Sequence, residues 1–246
     1  MKASAFEFRF RLVLMTLVIV LGFSAPWIEL LHWGTRTTAW LWLGFEAGAL
    51  GISPTKAIQL VTGLTIAVAA AAAAFRIWGT AYLGTGTVNN SEMKAGVVLA
   101  DGPYRHVRNP LYIGSWLMVA AISVLMPPSG ALFTMVLLSI FLLRLILGEE
   151  AFLATQLGEP YAAYRKAVPR LIPSIRTRAV AGGRQANWGS AMLGEILPLG
   201  VLVSFAALSW QYNASLLTRA VLISFGLSLV VRALILPRPG LPQSLA

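Results

Sequence analysis

Residues 57–83 read AIQLVTGLTIAVAAAAAAFRIWGTAYL, and this stretch decides the fold class. It contains a single charged residue, Arg76, and it is long enough for a membrane-spanning helix, which needs about twenty apolar residues. The alanine run at 69–74 is typical of a surface on which membrane helices pack closely. The sequence therefore predicts a spanning helix here.

The composition extends this prediction to the whole chain. Of the 246 residues, 57% are hydrophobic and 11% are charged, whereas soluble domains carry about 25% charged residues. Such a chain has too little polar surface to cover a water-exposed globule. We expect an all-α, polytopic transmembrane helical bundle with membrane lipids as partners. The net charge of +10 is typical of topology signals and contact with anionic lipid, and we expect no nucleic-acid partner.

Six apolar stretches predict about six spans, with cytoplasmic interfacial helices between some of them. The stretches are residues 10–31, 57–83, 111–126, 131–147, 191–210 and 215–236. Basic residues concentrate in alternate loops, so the positive-inside rule predicts that both termini are cytoplasmic. The bacterial inner membrane is the expected location. Residues 38–52 are too short to span, and we interpret them as an interfacial or re-entrant segment.

The first segment with chemical character is residues 101–114, DGPYRHVRNPLYIG. Asn109 followed by Pro110 predicts a helix start, because asparagine caps helices and proline suits the first helical position. The unpaired N–H groups of such a terminus can bind an anion, and Arg105 and Arg108 add positive charge. Taken singly, these residues have structural explanations. Together they predict a site for a carboxylate or phosphate.

The second segment runs from residue 148 to 173. Glu149 and Glu150 are predicted to end the fourth span, and apolar residues then recur every three or four positions as on one helix face. Gly158 and Pro160 predict a break into two short helices. Paired acids at a membrane edge are costly without a partner. A cationic ligand or the arginines of the first segment would supply one, and a solvated helix terminus is the alternative.

Together, the two segments resemble the membrane-bound isoprenylcysteine carboxyl methyltransferases and the related phospholipid methyltransferases. The residues that carry the resemblance are Gly102 through Gly114, Glu149-Glu150, Leu157-Gly158, Tyr161, Tyr164 and residues 168–173. It covers about residues 76–175. In this chain Asn109 replaces the histidine that is usual in the family, and Leu157 replaces a phenylalanine.

The resemblance implies a membrane enzyme that binds S-adenosylmethionine at the cytoplasmic face. The residues expected to bind this cofactor are Gly102, Tyr104, Arg108, Asn109, Pro110, Tyr112, Gly114, Glu149 and Glu150. Three residues are expected to act on the acceptor: Glu150 as a base toward an amine, and Arg105 or Arg170 as a partner for a carboxylate or lipid phosphate. No metal site is expected, because the chain has no cysteine and its two histidines, His32 and His106, are isolated.

The predicted organisation has three parts: N-terminal helices in 1–75, a methyltransferase-like core in 76–178 and a C-terminal hairpin in 179–246. The predicted function is transfer of a methyl group to a lipophilic or membrane-partitioning carboxylate, phospholipid amine or thiol. A homodimer is a possible assembly. The alternatives are an NADPH-dependent membrane reductase of the sterol-reductase kind and a non-enzymatic membrane protein. Arg76 and Arg144 are interpreted as snorkelling side chains, and Glu195 as facing the headgroups.

Overall fold

The computed structural model describes residues 2–88, 98–176 and 179–234, and within these ranges the regular structure is entirely helical. The helices are α1 (Ala5–Arg9), α2 (Arg11–Ser24), α3 (Trp27–Leu30), α4 (Ala39–Ala49), α5 (Pro54–Leu83), α6 (Thr85–Val88), α7 (Pro110–Ser123), α8 (Pro128–Ala167), α9 (Trp188–Gly194), α10 (Ile196–Leu208) and α11 (Ala214–Leu234), with 3₁₀ turns at Gly102–Arg105 and Ser209–Gln211. The expected all-α class is confirmed.

Three of the described helices, α5, α8 and α11, are long and apolar enough to cross a membrane. A fourth span is formed if α9 and α10, with the 3₁₀ turn that follows, cross together despite the 72° bend between them. Helices α2 and α7, at the predicted first and third spans, have 14 residues each, shorter than the usual spanning length. Lys94, Arg178 and Arg238, part of the predicted charge asymmetry, and residue 236, the predicted end of the last span, lie outside the described residues.

The alanine-rich helix α5 is the central packing element. It contacts α4, α7 and α10, and Ala69, Ala72 and Ala73 are buried on it. Small residues allow this close approach, because a Cβ at Gly114 of α7 would lie 3.0 Å from the Ala72 carbonyl oxygen. The predicted packing role of the alanine run is therefore confirmed. The room expected beside Gly114 is already taken by α5 itself.

Helix α8 differs from its prediction at its end. It does not stop at Glu149 and Glu150 but continues to Gly158, because no helix-breaking proline lies between Leu147 and that position. The break predicted at Gly158 is confirmed, since this residue adopts φ +57° and ψ −133° within the 40-residue element. This conformation favours glycine, and it changes the direction of the helix axis in the last part of α8.

A buried ion pair joins α5 to the C-terminal helices. Arg76 donates to both carboxylate oxygens of Glu195, with Nε and Nη2 each at 2.8 Å, and also to Ser115 Oγ of α7 at 3.1 Å. The Glu195 side chain is 1% exposed, and the Thr80 hydroxyl also donates to it. The interpretation of Arg76 as snorkelling and of Glu195 as facing headgroups was therefore wrong. No spacing rule links two charges that are 119 positions apart.

Replacing Glu195 by alanine leaves the Arg76 guanidinium buried without its partner, which typically destabilises a protein by roughly 3–5 kcal/mol. We expect a clear drop in the thermal unfolding midpoint in detergent. The matched control is Glu29→Gln, because the Glu29–Arg36 pair is exposed and such pairs are worth about 1 kcal/mol or less. Equal midpoints for the two variants would contradict this account.

The N-terminal helix is fixed to α8 by a second ion pair. Glu7 and Ser4 form a capping box, and Arg144 donates to both Glu7 oxygens at 2.9 Å. These hydrogen bonds, first of all those from Arg144, lower the pKa of Glu7 from its ordinary 4.5 to about 2. The Ala3 amide also donates to the Arg144 carbonyl at 3.0 Å, so the start of the chain is docked on α8.

This pairing predicts a pH-dependent stability. Because the folded pKa of Glu7 lies below its ordinary value, its stabilisation is fully present above pH 4.5 and is lost as the pH falls toward 2. The midpoint difference between the native chain and Glu7→Gln should therefore shrink through this window. A Glu46→Gln variant is the control, and a Glu7 difference that is constant with pH would refute the prediction.

Candidate functional site

The two segments singled out in the sequence lie against each other in the structure. The Arg108 amide donates to the Pro169 carbonyl at 2.9 Å, and the Ser174 amide donates to the His106 carbonyl at 2.9 Å. The Tyr164 hydroxyl donates to the Tyr104 carbonyl at 2.8 Å. The turn at Gly158 makes this contact possible, because it brings the chain after α8 back to the start of α7. The two segments form one site at one end of the bundle.

Glu150 lies at the junction of the segments and is 4% exposed. Arg170 donates to Glu150 Oε2 from Nε at 3.1 Å and from Nη2 at 2.9 Å. Asn109 Nδ2 donates to Oε1 at 3.2 Å, and Arg108 Nη1 lies 3.2 Å from the same oxygen. The hydrogen bond to Glu150 also raises the pKa of Arg170 above its ordinary value. The Glu150 carboxylate is therefore largely occupied by groups of the protein itself.

The amide of Asn109 has a different role from the one predicted. Helix α7 begins at Pro110 as expected, but the Asn109 side chain makes no capping hydrogen bond. Its Nδ2 instead donates to Glu150 and to the Arg170 carbonyl, at 3.2 Å each. The expected side-chain cap was wrong: the Nδ2 hydrogen bonds to Glu150 and Arg170 hold the side chain in an orientation in which its Oδ1 accepts no capping hydrogen bond. The first-turn N–H groups of α7 therefore do not receive this side chain.

Glu149 is the less occupied acid of the pair. Its Oε2 accepts from the Tyr112 hydroxyl at 2.9 Å, and it forms no ion pair with any residue in the described ranges. Arg11 interacts electrostatically with both Glu149 and Tyr112. Glu149 thus retains hydrogen-bonding capacity for a cationic or hydroxyl-bearing ligand, whereas Glu150 is used to join the segments.

Two further side chains at the site have buried polar atoms without a hydrogen-bond partner among the described residues: Tyr104 through its hydroxyl, and Arg108 through Nε and through Nη1, which is only ion-paired with Glu150. Burial raises the pKa of Tyr104 well above its ordinary 10.0, so its hydroxyl stays protonated and available as a donor. Buried polar groups are nearly always paired in native proteins. Two side chains with orphaned donors beside a partly free carboxylate indicate that a polar ligand completes the site.

The remaining candidate residues have mainly structural contacts. Gly102 adopts φ +54°, and a Cβ there would meet the Tyr82 ring at 2.3 Å, so glycine is required by both conformation and space. Arg105 donates to the Ala179 carbonyl from Nε at 3.3 Å and from Nη2 at 3.2 Å, and so fixes the chain that follows the second segment. The structure thus brings Gly102 near α5 and uses the Arg105 guanidinium to bind the Ala179 carbonyl.

Two contributors to the site were not found from the sequence. Asp101 is buried and accepts from the Gly183 and Arg184 amides at 3.0 and 3.1 Å, which holds the start of the first segment. Arg11 reaches the site from α2. Asp101 could have been noticed as an acid directly before the Gly-Pro turn. The sequence around Arg11 has no feature, apart from the positive charge of the residue, that indicates a role at the site.

Comparisons with known proteins identify the core. Residues 57–160 match the phospholipid methyltransferase family. The middle of this chain is therefore similar to that family. A protein-S-isoprenylcysteine O-methyltransferase of Schizosaccharomyces pombe is 37% identical over 90 residues, which cover 36% of this chain and 38% of the relative. A methanethiol S-methyltransferase of Crocosphaera subtropica is 40% identical over 72 residues, which cover 29% and 28%.

These matches confirm the resemblance seen in the sequence, and they also show that it covers only part of the chain. They span less than two fifths of either relative, and the helices after Gly158 and Pro160 lie outside the family match. No solved structure matches the chain significantly. The matched region therefore includes Glu149, Glu150 and the first segment, while Arg170 lies beyond it.

The different roles of the two acids predict different effects on stability. Glu150→Gln removes a buried charge that compensates Arg108 and Arg170, and losing one partner of a buried pair typically costs roughly 3–5 kcal/mol. Glu149→Gln keeps a hydrogen-bond acceptor for Tyr112 and should change the unfolding midpoint much less. Thermal unfolding of both variants in the same detergent measures this. A larger loss for Glu149→Gln would reverse the assignment.

Proposed function

We propose that this chain is an integral membrane methyltransferase that uses S-adenosylmethionine and acts on a lipophilic or membrane-partitioning acceptor. The observation that carries the proposal is the junction of the two family segments around Glu149 and Glu150. The matched relatives support it, because both are methyltransferases by name. Neither relative is a reductase, so the NADPH-dependent alternative is not favoured.

The groups at the junction fit such a cofactor. Glu149, partly free, suits an ammonium or ribose hydroxyls, and the uncapped start of α7 beside Arg108 suits a carboxylate. The Tyr104 hydroxyl and Arg108 Nε are the donors that a polar ligand would satisfy. Asn109 and Arg170 act indirectly. They bind Glu150 and thereby fix the relative positions of the two segments. Pro110 and Gly114 set the start of α7 and its distance from α5.

The cofactor, when bound, supplies an activated methyl group at a sulfonium centre. The protein's part is to position the acceptor and to exclude water, since methyl transfer to an anionic acceptor needs little acid–base chemistry. The ring of Tyr112, whose hydroxyl is held by Glu149, is suited to a cation–π contact. A neutral amine acceptor needs a base, and Glu149 is better placed for this than Glu150, whose oxygens are already bound by Arg108, Asn109 and Arg170.

The membrane location of the chain and the names of its relatives support the choice of acceptor class. The S. pombe relative is named for an isoprenylcysteine O-acceptor and the Crocosphaera relative for a methanethiol S-acceptor, so the shared core is compatible with carboxylates and with small thiols. We propose a carboxylate, thiol or phospholipid amine that reaches the site from the membrane. The site would face the cytoplasm, in agreement with the charge distribution.

Calorimetric titration of the detergent-purified chain with S-adenosylhomocysteine tests the cofactor assignment. We expect an affinity on the order of micromolar. Glu149→Gln should weaken it by about 10- to 100-fold, which corresponds to a charged hydrogen bond of about 1.5–3 kcal/mol. Glu46→Gln removes the same charge from an exposed position on α4 and is the matched control. NADPH is titrated separately.

The outcomes are distinct. Binding of S-adenosylhomocysteine that Glu149→Gln weakens and Glu46→Gln does not supports the proposal. Binding of NADPH alone would assign the chain to the reductases. A folded protein that binds neither ligand would show that the family segments serve here as scaffold.

A further inference from the structure

A second concave surface lies beside the segment that follows α8. We name it the basic cleft, and it has a volume of 830 Å³. Its lining includes Arg108, Arg165, Lys166, Ile172, Ile175 and Arg176. Four of these six residues are basic, and no carboxylate lines the cleft among the described residues. A cavity of this charge is complementary to an anion.

The inner end of the cleft contains an unsatisfied donor. The Arg108 side chain is 10% exposed, and its Nε is buried without a hydrogen-bond partner in the described part of the chain. Glu150 lies behind it, 3.2 Å from Nη1, and offsets part of its charge. Arg165, Lys166 and Arg176 are exposed around the opening. The cleft therefore has the buried Arg108 side chain in its wall and three exposed basic side chains around its opening.

The cleft lies beside the start of the apolar helix α7. The Arg108 amide is bonded to the Pro169 carbonyl, and Pro110, two residues later, begins the apolar helix α7. Beside the opening, Ile172 is 81% exposed and Ile175 is 96% exposed. Large apolar side chains at the edge of a basic site are typical of an interfacial segment that inserts into lipid.

We propose that the basic cleft binds the phosphate group of an anionic membrane lipid, with Ile172 and Ile175 against its acyl chains. Guanidinium groups bind phosphate oxygens through two parallel hydrogen bonds, and the Lys166 ammonium adds a point charge. This site goes beyond methyl transfer, because lipid can occupy it with or without a methyl donor.

The test is a titration of the full-length chain in a neutral detergent with dioctanoyl phosphatidylglycerol. Inorganic phosphate and dioctanoyl phosphatidylcholine are titrated in parallel. We expect the anionic lipid to bind most tightly and its affinity to fall with added salt. The double variant Arg165→Gln/Lys166→Gln should weaken binding by roughly 30-fold, since each basic residue near an anionic lipid surface is worth about 1 kcal/mol.

The control is Lys56→Gln/Arg219→Gln, which makes the same change in net charge at exposed positions outside the cleft. Helical content and elution volume show whether each variant is folded. If the first pair does not fold, Arg176→Gln replaces it, with an expected loss of roughly fivefold.

Three results would overturn the proposal. The first is equal affinity for phosphatidylcholine, which would remove the role of net lipid charge. The second is equal affinity for inorganic phosphate, which would make the cleft a site for free phosphate. The third is a cleft variant that binds like the control. Loss of binding confined to the cleft variants supports the proposal whether or not S-adenosylhomocysteine binds.

Discussion

The carboxylate of Glu150 is the group on which the arrangement of the site depends. It is buried and meets nitrogen atoms from Arg108, Asn109 and Arg170, which lie on two segments separated by a helical hairpin. An uncompensated charge in this position would be strongly unfavourable. The pairing is therefore satisfied only when the chain after α8 returns to the start of α7, and that return, made at Gly158, places Glu149, Tyr112 and Tyr104 together.

A second buried charge pair extends the same constraint to the rest of the bundle. Arg76 connects α5 to Glu195 at the bend between α9 and α10, and through Ser115 to α7. The helix that carries the first segment is thus held on one side by Glu150 and on the other by Arg76. Helices outside the family match have a structural role in this arrangement, because they supply the acid that neutralises Arg76.

Local patterns in the sequence were sufficient for several features. Hydropathy identified the apolar helices, Asn109-Pro110 located the start of α7, and Gly158 located the break in α8, because each is determined by residues within one or two helical turns. Three features were not predictable: the pairing of Arg76 with Glu195, the orientation of Asn109 toward Glu150, and the hydrogen bonds that Asp101 accepts. Each depends on residues about 40 to 120 positions apart, and no local rule constrains such distances.

The most direct measurement is photo-crosslinking of radiolabelled S-adenosylmethionine to the purified chain, followed by mapping of the labelled peptides. The account predicts label in peptides that contain residues 101–114 or 148–173, and loss of that label when unlabelled S-adenosylhomocysteine is added. Competed label confined to the C-terminal helices α10 and α11, or no competed label in a folded protein, would contradict the claim that the two segments form the methyl-donor site.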